Sequence, residues 1–261
     1  MRRGESRILS SPVGNAENPE PSNDVWSFFD RIYCISLKER PDRRAQAVSQ
    51  FKRVGLANRV NNVEFDRHPT DREQGIYESH MACIRRGLAE GAVHILIFED
   101  DVVFERFSPA RLDAALSFLR RQPEWKILFL GCLVKSSRAT ETPEVRKVAY
   151  RCLAHAYALR RSCAEQLVEK SWSGIPFDAV LSGIKDGLFV CHPSFAFQSN
   201  AVSDNLRLRR LDTFRRWCGG LRRIQKLNEW CHCHKALLAA VHLAGLGVLL
   251  WLVVTWKEVA P

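Results

Sequence analysis

Three consecutive carboxylates, Glu99, Asp100 and Asp101, stand at the end of the apolar run His94–Phe98, and the chain turns apolar again over Val102–Phe104. A short β-branched run of this kind reads as a strand buried on both faces. Three acids at its end cannot stay buried unpaired, because an unneutralised carboxylate in low dielectric costs several kcal/mol or takes up a proton. They belong at an open edge, where a divalent cation would make the cluster favourable. Oxygen ligands alone suit a hard ion, Mn²⁺ or Mg²⁺, held in part by a substrate phosphate. Side chains alternate along an extended chain, so Glu99 and Asp101 are expected to face the metal and Asp100 the opposite way. Taken alone, the triplet also fits a solvated acidic turn after a core strand.

The elements around this triplet follow from periodicity. Arg31–Leu37 reads as a strand, and Pro41 and Asp42 start a helix with apolar positions at Ala47, Val48, Phe51 and Val54. The turn between them carries Arg40, Arg43 and Arg44, placed to meet an anion such as a diphosphate, or simply solvated at a helix start. Such turns at the carboxyl ends of strands are where open α/β sheets bind ligands. Val63–Phe65 is expected as a short strand, and Gly75–Glu90 as a helix closed by Gly91. His80 in that helix could orient a phosphate or ribose hydroxyl, or be a satisfied structural histidine. Ser108 and Pro109 cap a helix running to Arg121, and Lys126–Leu130 is a further strand. Lys135–Pro143 is expected to be a polar loop, Val148–Leu159 extended, and Ala164–Trp172 a helix capped by Ser162. Gly174–Asp178 leads into a helix ending near Gly187, before extended segments at Leu188–Cys191 and Ser194–Gln198. Strands alternating with helices give an α/β sandwich over residues 25–204, preceded by a tail, 1–24, whose composition predicts disorder.

The formal charge of +10 is concentrated near the end of the chain. Nine Lys and Arg against two acids lie between Asn205 and Lys235, where Leu208, Leu211, Phe214, Trp217, Leu221 and Ile224 interleave with arginines. That pattern predicts a basic amphipathic helix over 205–235, suited to a membrane surface, a partner or a nucleic acid. The next segment favours the membrane and argues against nucleic acid: Ala236–Trp256 contains no Asp, Glu, Lys or Arg and is bracketed by Lys235 and Lys257. Its length fits a bilayer-spanning helix, leaving 257–261 as a short tail. The basic residues precede the span, which places the globular part in the cytoplasm as a tail-anchored domain. The odd number of cysteines, nine, and the lack of Asn-x-Ser/Thr sequons favour a reducing compartment. Cys231-His232-Cys233-His234 has the wrong spacing for a zinc pair, and its thiols suit juxtamembrane acylation better.

The blocks IYCISLKERPDRR, EQGIYESH, HILIFEDDVVF, WKILFLG, HAYALRR, IPFD and PSFAFQ, taken in this order, resemble glycosyltransferase family 25, the lipooligosaccharide and procollagen galactosyltransferase group. The resemblance covers about Arg31 to Asp204. It implies a GT-A fold, a Rossmann-like nucleotide-sugar domain, and inverting transfer from a UDP-sugar to a hydroxyl of a glycan or glycolipid acceptor, as in lipopolysaccharide biosynthesis. It further implies that Glu99, Asp100 and Asp101 form the metal-binding acidic motif, that Arg40, Arg43 and Arg44 form the basic turn, and that Glu73, Gly75, Ser79 and His80 form the donor-side block. Asp178 matches an acid following a proline in the acceptor half. As an isolated acid there, it is the candidate base for the acceptor hydroxyl, or else a helix N-cap; His155 is a second choice. Ser36, Lys38 and Ile76 stand where this family more often has Asn, Asp and Cys.

Overall fold

A computed structural model describes residues 24–199 and 219–259. The tail expected over 1–24, apart from Asp24, and the basic stretch 205–218, including Leu208, Leu211, Phe214 and Trp217, lie outside the described residues. The strands are β1 (Arg31–Leu37), β2 (Val60–Phe65), β3 (His94–Glu99), β4 (Val102–Phe104), β5 (Ile127–Phe129), β6 (Leu133–Ala139), β7 (Val145–Cys152), β8 (Ala156–Arg160), β9 (Leu188–Cys191) and β10 (Ala196–Gln198). The helices are α1 (Pro41–Arg53), α2 (Arg72–Ala89), α3 (Pro109–Arg120), α4 (Arg161–Val168), α5 (Phe177–Ser182), α6 (Leu221–Cys233) and α7 (Lys235–Val259).

Eight strands form one mixed sheet in the order β2-β1-β3-β8-β5-β9-β7-β6, and β4 pairs with β10 in a separate antiparallel ribbon. Alternation along the central strands builds two cores. Ile32, Cys34, Leu96, Phe98, Leu128 and Ala158 pack on one face with Phe51 of α1 and Leu112, Leu116 and Leu119 of α3. Tyr33, Ile95, Ile97, Phe129 and Tyr157 pack on the other with Met81 and Ile84 of α2, Leu167 of α4 and Phe177 of α5. Both faces of the sheet are therefore covered, which is why β3 reads as an unbroken apolar run.

The parallel trio β2-β1-β3 fixes the position of the site. The chain leaves β1 through α1 on one face to reach β2, then returns through α2 on the other face to β3 on the opposite side of β1. The strand order reverses at β1, and the register pairs Ile35 with Glu99, so the carboxyl ends of β1 and β3 open side by side. Connections diverging from neighbouring strand ends leave a crevice there, the usual ligand site of such sheets.

Several local expectations change. Leu133–Ala139 is strand rather than loop: it pairs with β7 at the sheet edge, so most of its side chains face water and its sequence reads as polar. The helix after Arg160 starts at Arg161 with no side-chain cap from Ser162, and α5 ends at Ser182, well before Gly187.

The described part of the basic segment docks on the domain through its polar side chains. Gln225 is fully buried and donates to the Ala196 carbonyl at 2.9 Å, while Asn228 both accepts from and donates to the backbone of Val134. Arg222 and Lys226 pair with Glu105. Leu227 and Trp230 point outward, 59% and 44% exposed. A helix is present over the apolar segment, yet no single helix among the described residues is long and apolar enough to cross a membrane by itself. Leu221–Cys233 and Lys235–Leu249 qualify jointly, bent by 81°.

Candidate functional site

At the β1–β3 crevice lies a cleft of about 360 Å³, within the range of small-ligand pockets. Its floor is the acid triplet. Asp100 turns back toward β1, where it accepts from the Ser36 hydroxyl at 2.6 Å and pairs with Arg43 at 3.5 Å. Glu99 lies 3.3 Å from His80 Nε2, and Asp101 accepts from the Gln198 amide at 2.8 Å. Asp101 Oδ1 is buried without a hydrogen-bond partner. Burial, together with the charges of Asp178 and Asp100, pushes Glu99 up to about 8. Burial and the charge of Glu99 push Asp101 up to about 7. Two carboxyls held that far above their ordinary range are short of positive charge.

The opposite wall is basic. Asp71 caps α2 by accepting from the amides of Glu73 and Gln74, so the positive end of an 18-residue helix opens on the cleft. Arg72, the first residue of α2, has a buried Nη1 with no partner. Arg43 and Arg40 also line the cleft, the latter paired with Asp42 at 2.8 Å. Arg44 is not in the lining: it donates to the Leu37 carbonyl at 2.6 Å and braces the end of β1. Glu73, Gly75, Ser79 and His80 all line the cleft. Gly75 is there for space, since a Cβ would sit 2.8 Å from His68 Cβ. Ser79 donates to the Gly75 carbonyl at 2.7 Å. His80 stacks on Phe177 at 4.2 Å and contacts the Tyr157 hydroxyl at 2.9 Å, and burial lowers it to about 4, so it is neutral at pH 7.

Asp178 is in the lining but does not cap its helix; Pro176 holds the cap position. Its carboxylate accepts from the Tyr150 hydroxyl and from the amides of Leu153 and Ala154, both at 3.1 Å. It thereby stabilises a turn in which Leu153 takes a positive φ of 79°. His155, the second candidate, also lines the cleft; it is fully buried and bonded to the Leu153 carbonyl. Sequence reasoning missed Arg72, Gln198 and the Tyr150–Ala154 wall. Arg72 directly precedes the EQGIYESH block and Gln198 closes PSFAFQ, so adjacency to those motifs was the available signal.

Among the described residues no group of three or more His, Cys, Asp and Glu forms a ready-made metal site. The donors present nevertheless fit a hard divalent ion. Glu99 and Asp101 supply anionic oxygens, one of them an orphaned buried acceptor, and ions of the Mg²⁺ class are commonly held by one or two carboxylates plus substrate phosphates.

The architecture is thus a doubly wound α/β domain with an acid-floored, basic-walled cleft at its topological switch point. By sequence its curated relatives are members of glycosyltransferase family 25. No family model matches the chain. It is 26% identical over 170 residues to "Inactive glycosyltransferase 25 family member 3" of Homo sapiens, covering 54% of this chain and 29% of that protein. It is 27% identical over 129 residues to "Probable inactive glycosyltransferase 25 family member 3" of Rattus norvegicus, covering 40% and 23%. The chain spans less than a third of the length of these relatives. Among solved structures, A197 from STIV has a TM-score of 0.45 at 13% identity, covering 64% of this chain and 85% of that one. A glycosyltransferase involved in glycosylation of the PBCV-1 major capsid has a TM-score of 0.32 at 10% identity, covering 52% and 63%.

Proposed function

We propose that this chain is a metal-dependent inverting glycosyltransferase with a GT-A fold that moves a hexose, galactose by preference, from a UDP-sugar to a hydroxyl of a glycan or lipid-linked glycan. The observation that carries this reading is a pair of unsatisfied groups of opposite character in one cleft: Asp101 Oδ1 lacks a donor or cation, and Arg72 Nη1 lacks an acceptor. A diphosphate with a divalent ion supplies both at once. Glu99 and Asp101 would hold Mn²⁺ or Mg²⁺, which when bound offsets charge on the departing nucleotide.

The protein's own groups do the rest. Arg72, Arg43 and the α2 amino end receive the diphosphate oxygens and stabilise negative charge as it develops. Asp100 is held by Ser36 and fixes Arg43 against the triplet. Asp178 is the base of this reading. A carboxylate has about four acceptor positions, three donors orient this one, and one position is left for the acceptor hydroxyl. His80, kept neutral by burial, positions Glu99 without adding charge.

The exposed apolar faces of α6 and α7 favour attachment to a membrane with the domain on the cytoplasmic side, which would hold the cleft near a lipid-linked acceptor. A second reading, a nucleotide-sugar fold kept as a membrane-bound scaffold, is favoured by the names of the relatives. One experiment separates the two: purified full-length chain with Mn²⁺ and a panel of nucleotide sugars, following binding and nucleotide release in parallel. Release dependent on the metal supports the transferase; binding without release supports the scaffold; neither sinks both.

A further inference from the structure

The cleft does not use the Cys231–His234 segment, yet the fold carries part of it onto a second cluster. Cys233 ends α6, and its Sγ lies 3.9 Å from Nε2 of His192, in the β9–β10 connection. Nδ1 of the same histidine lies 3.4 Å from the Glu229 carboxylate, one turn earlier on α6. The other Glu229 oxygen accepts from the Ser194 amide at 3.2 Å, which fixes the carboxylate in place. Thiol, imidazole and carboxylate in this order form a nucleophile, a base and a group that orients the base, at distances usual for such sets before a substrate binds. Cys233 is half-buried and so within reach of a reagent, and α7, with Leu237, Val241, Leu243 and Leu246 exposed, follows two residues later.

We infer that Cys233 is a self-acylation site, at which His192 and Glu229 activate the thiol toward a long-chain acyl thioester such as an acyl-coenzyme A. Cys233 Sγ attacks the thioester carbonyl carbon as His192 Nε2 takes the thiol proton. The C–S bond to the carrier breaks, the carrier thiolate receives that proton from His192, and the protein keeps the acyl group as a new thioester. Burial raises the Cys233 thiol, so it rests protonated and depends on the histidine during attack. The placement of the acyl chain at the start of α7 rests on the membrane reading above; the chemistry of the cluster does not.

The test uses full-length protein in detergent micelles with an alkyne-tagged palmitoyl-coenzyme A, scoring label that hydroxylamine removes. Wild type and Cys231→Ser should label, Cys233→Ser should not, and His192→Gln should label about a hundredfold more slowly. Glu229→Gln should fall between wild type and His192→Gln. Full labelling of Cys233→Ser, or an unchanged rate in His192→Gln, overturns the assignment. Melting temperatures exclude misfolding, and Glu229→Gln provides the test if His192→Gln does not fold. No sugar donor is present, so failure here leaves the transferase reading intact, and the converse also holds.

Discussion

Replacing Asp101 with asparagine tests the electrostatics of the cleft. Asparagine keeps an oxygen for the Gln198 amide and removes the charge. Burial and the charge of Glu99 carry the Asp101 carboxyl from 3.8 to about 7. An acid raised on folding binds more protons in the folded chain than in the unfolded one. Its contribution to stability therefore falls as pH climbs from 3.8 to about 7, and stays low above that. At about 1.4 kcal/mol per pH unit the whole interval corresponds to roughly 4 kcal/mol. Glu99, itself carried to about 8, keeps part of its proton there and relieves some of the repulsion. About 2 kcal/mol is then the expected cost of the charge at pH 8, or about 4–8 °C in melting temperature for a domain of this size. In the presence of chelator, Asp101→Asn should melt above wild type at pH 8, with a smaller difference at pH 5. Mn²⁺ with UDP should raise the melting temperature of wild type and leave the variant where it was. A variant that melts below wild type in chelator at pH 8 would refute the reasoning, because Asp101 would then be stabilising rather than waiting for a cation.

Further outcomes follow from the same geometry. Asp178→Asn should lower kcat by about a hundredfold or more if Asp178 takes the proton. Tyr150→Phe removes one of its donors, keeps its charge and should cost only about 1–2 kcal/mol of stability with modest loss of rate; equal losses in the two variants would make Asp178 a brace alone. Gly75→Ala places a methyl 2.8 Å from His68 Cβ and should raise KM for the donor, read in initial-rate kinetics, with about 1–3 kcal/mol of destabilisation. Gly131→Ala would bring a Cβ to 2.0 Å from the Ala196 carbonyl oxygen; it should be the more damaging of the two in thermal melts, since backbone must move. Burial lowers both His80 and His155 to about 4, so stability should fall as pH drops from 6.5 toward 4, and the loss should shrink in His80→Asn.

The sequence made some elements legible and hid others for physical reasons. β1 and β9 appear with the expected bounds because their apolar runs end in turn residues, and α3 begins at Pro109 because Ser108 caps it. The opposed facing expected of Asp100 from strand alternation does not hold: β3 ends at Glu99, Asp100 and Asp101 lie in the turn, and all three acids line one cleft, with Asp100 reaching Ser36 and Arg43 there. β6 was hidden because an edge strand facing water has no apolar period to read. The seating of α6 was hidden for the opposite reason. Its apolar stripe pointed to a membrane surface or a partner, yet long-range polar bonds through Gln225 and Asn228 seat it on the domain and leave Leu227 and Trp230 outward. Among the three arginines after β1, spacing could not tell Arg43, which meets the triplet, from Arg44, which braces the strand end. The partners of Asp178 lie 24 to 28 residues away, beyond the reach of local pattern.

The central claim is that a divalent ion tethers a sugar nucleotide to the acid triplet. Calorimetric titration of UDP-galactose into the full-length protein, with Mn²⁺ and with chelator, addresses it most directly. Binding that requires Mn²⁺ in wild type and is lost in Asp101→Asn is the result this account predicts. Binding of equal strength in chelator, or unchanged binding in Asp101→Asn, would contradict it.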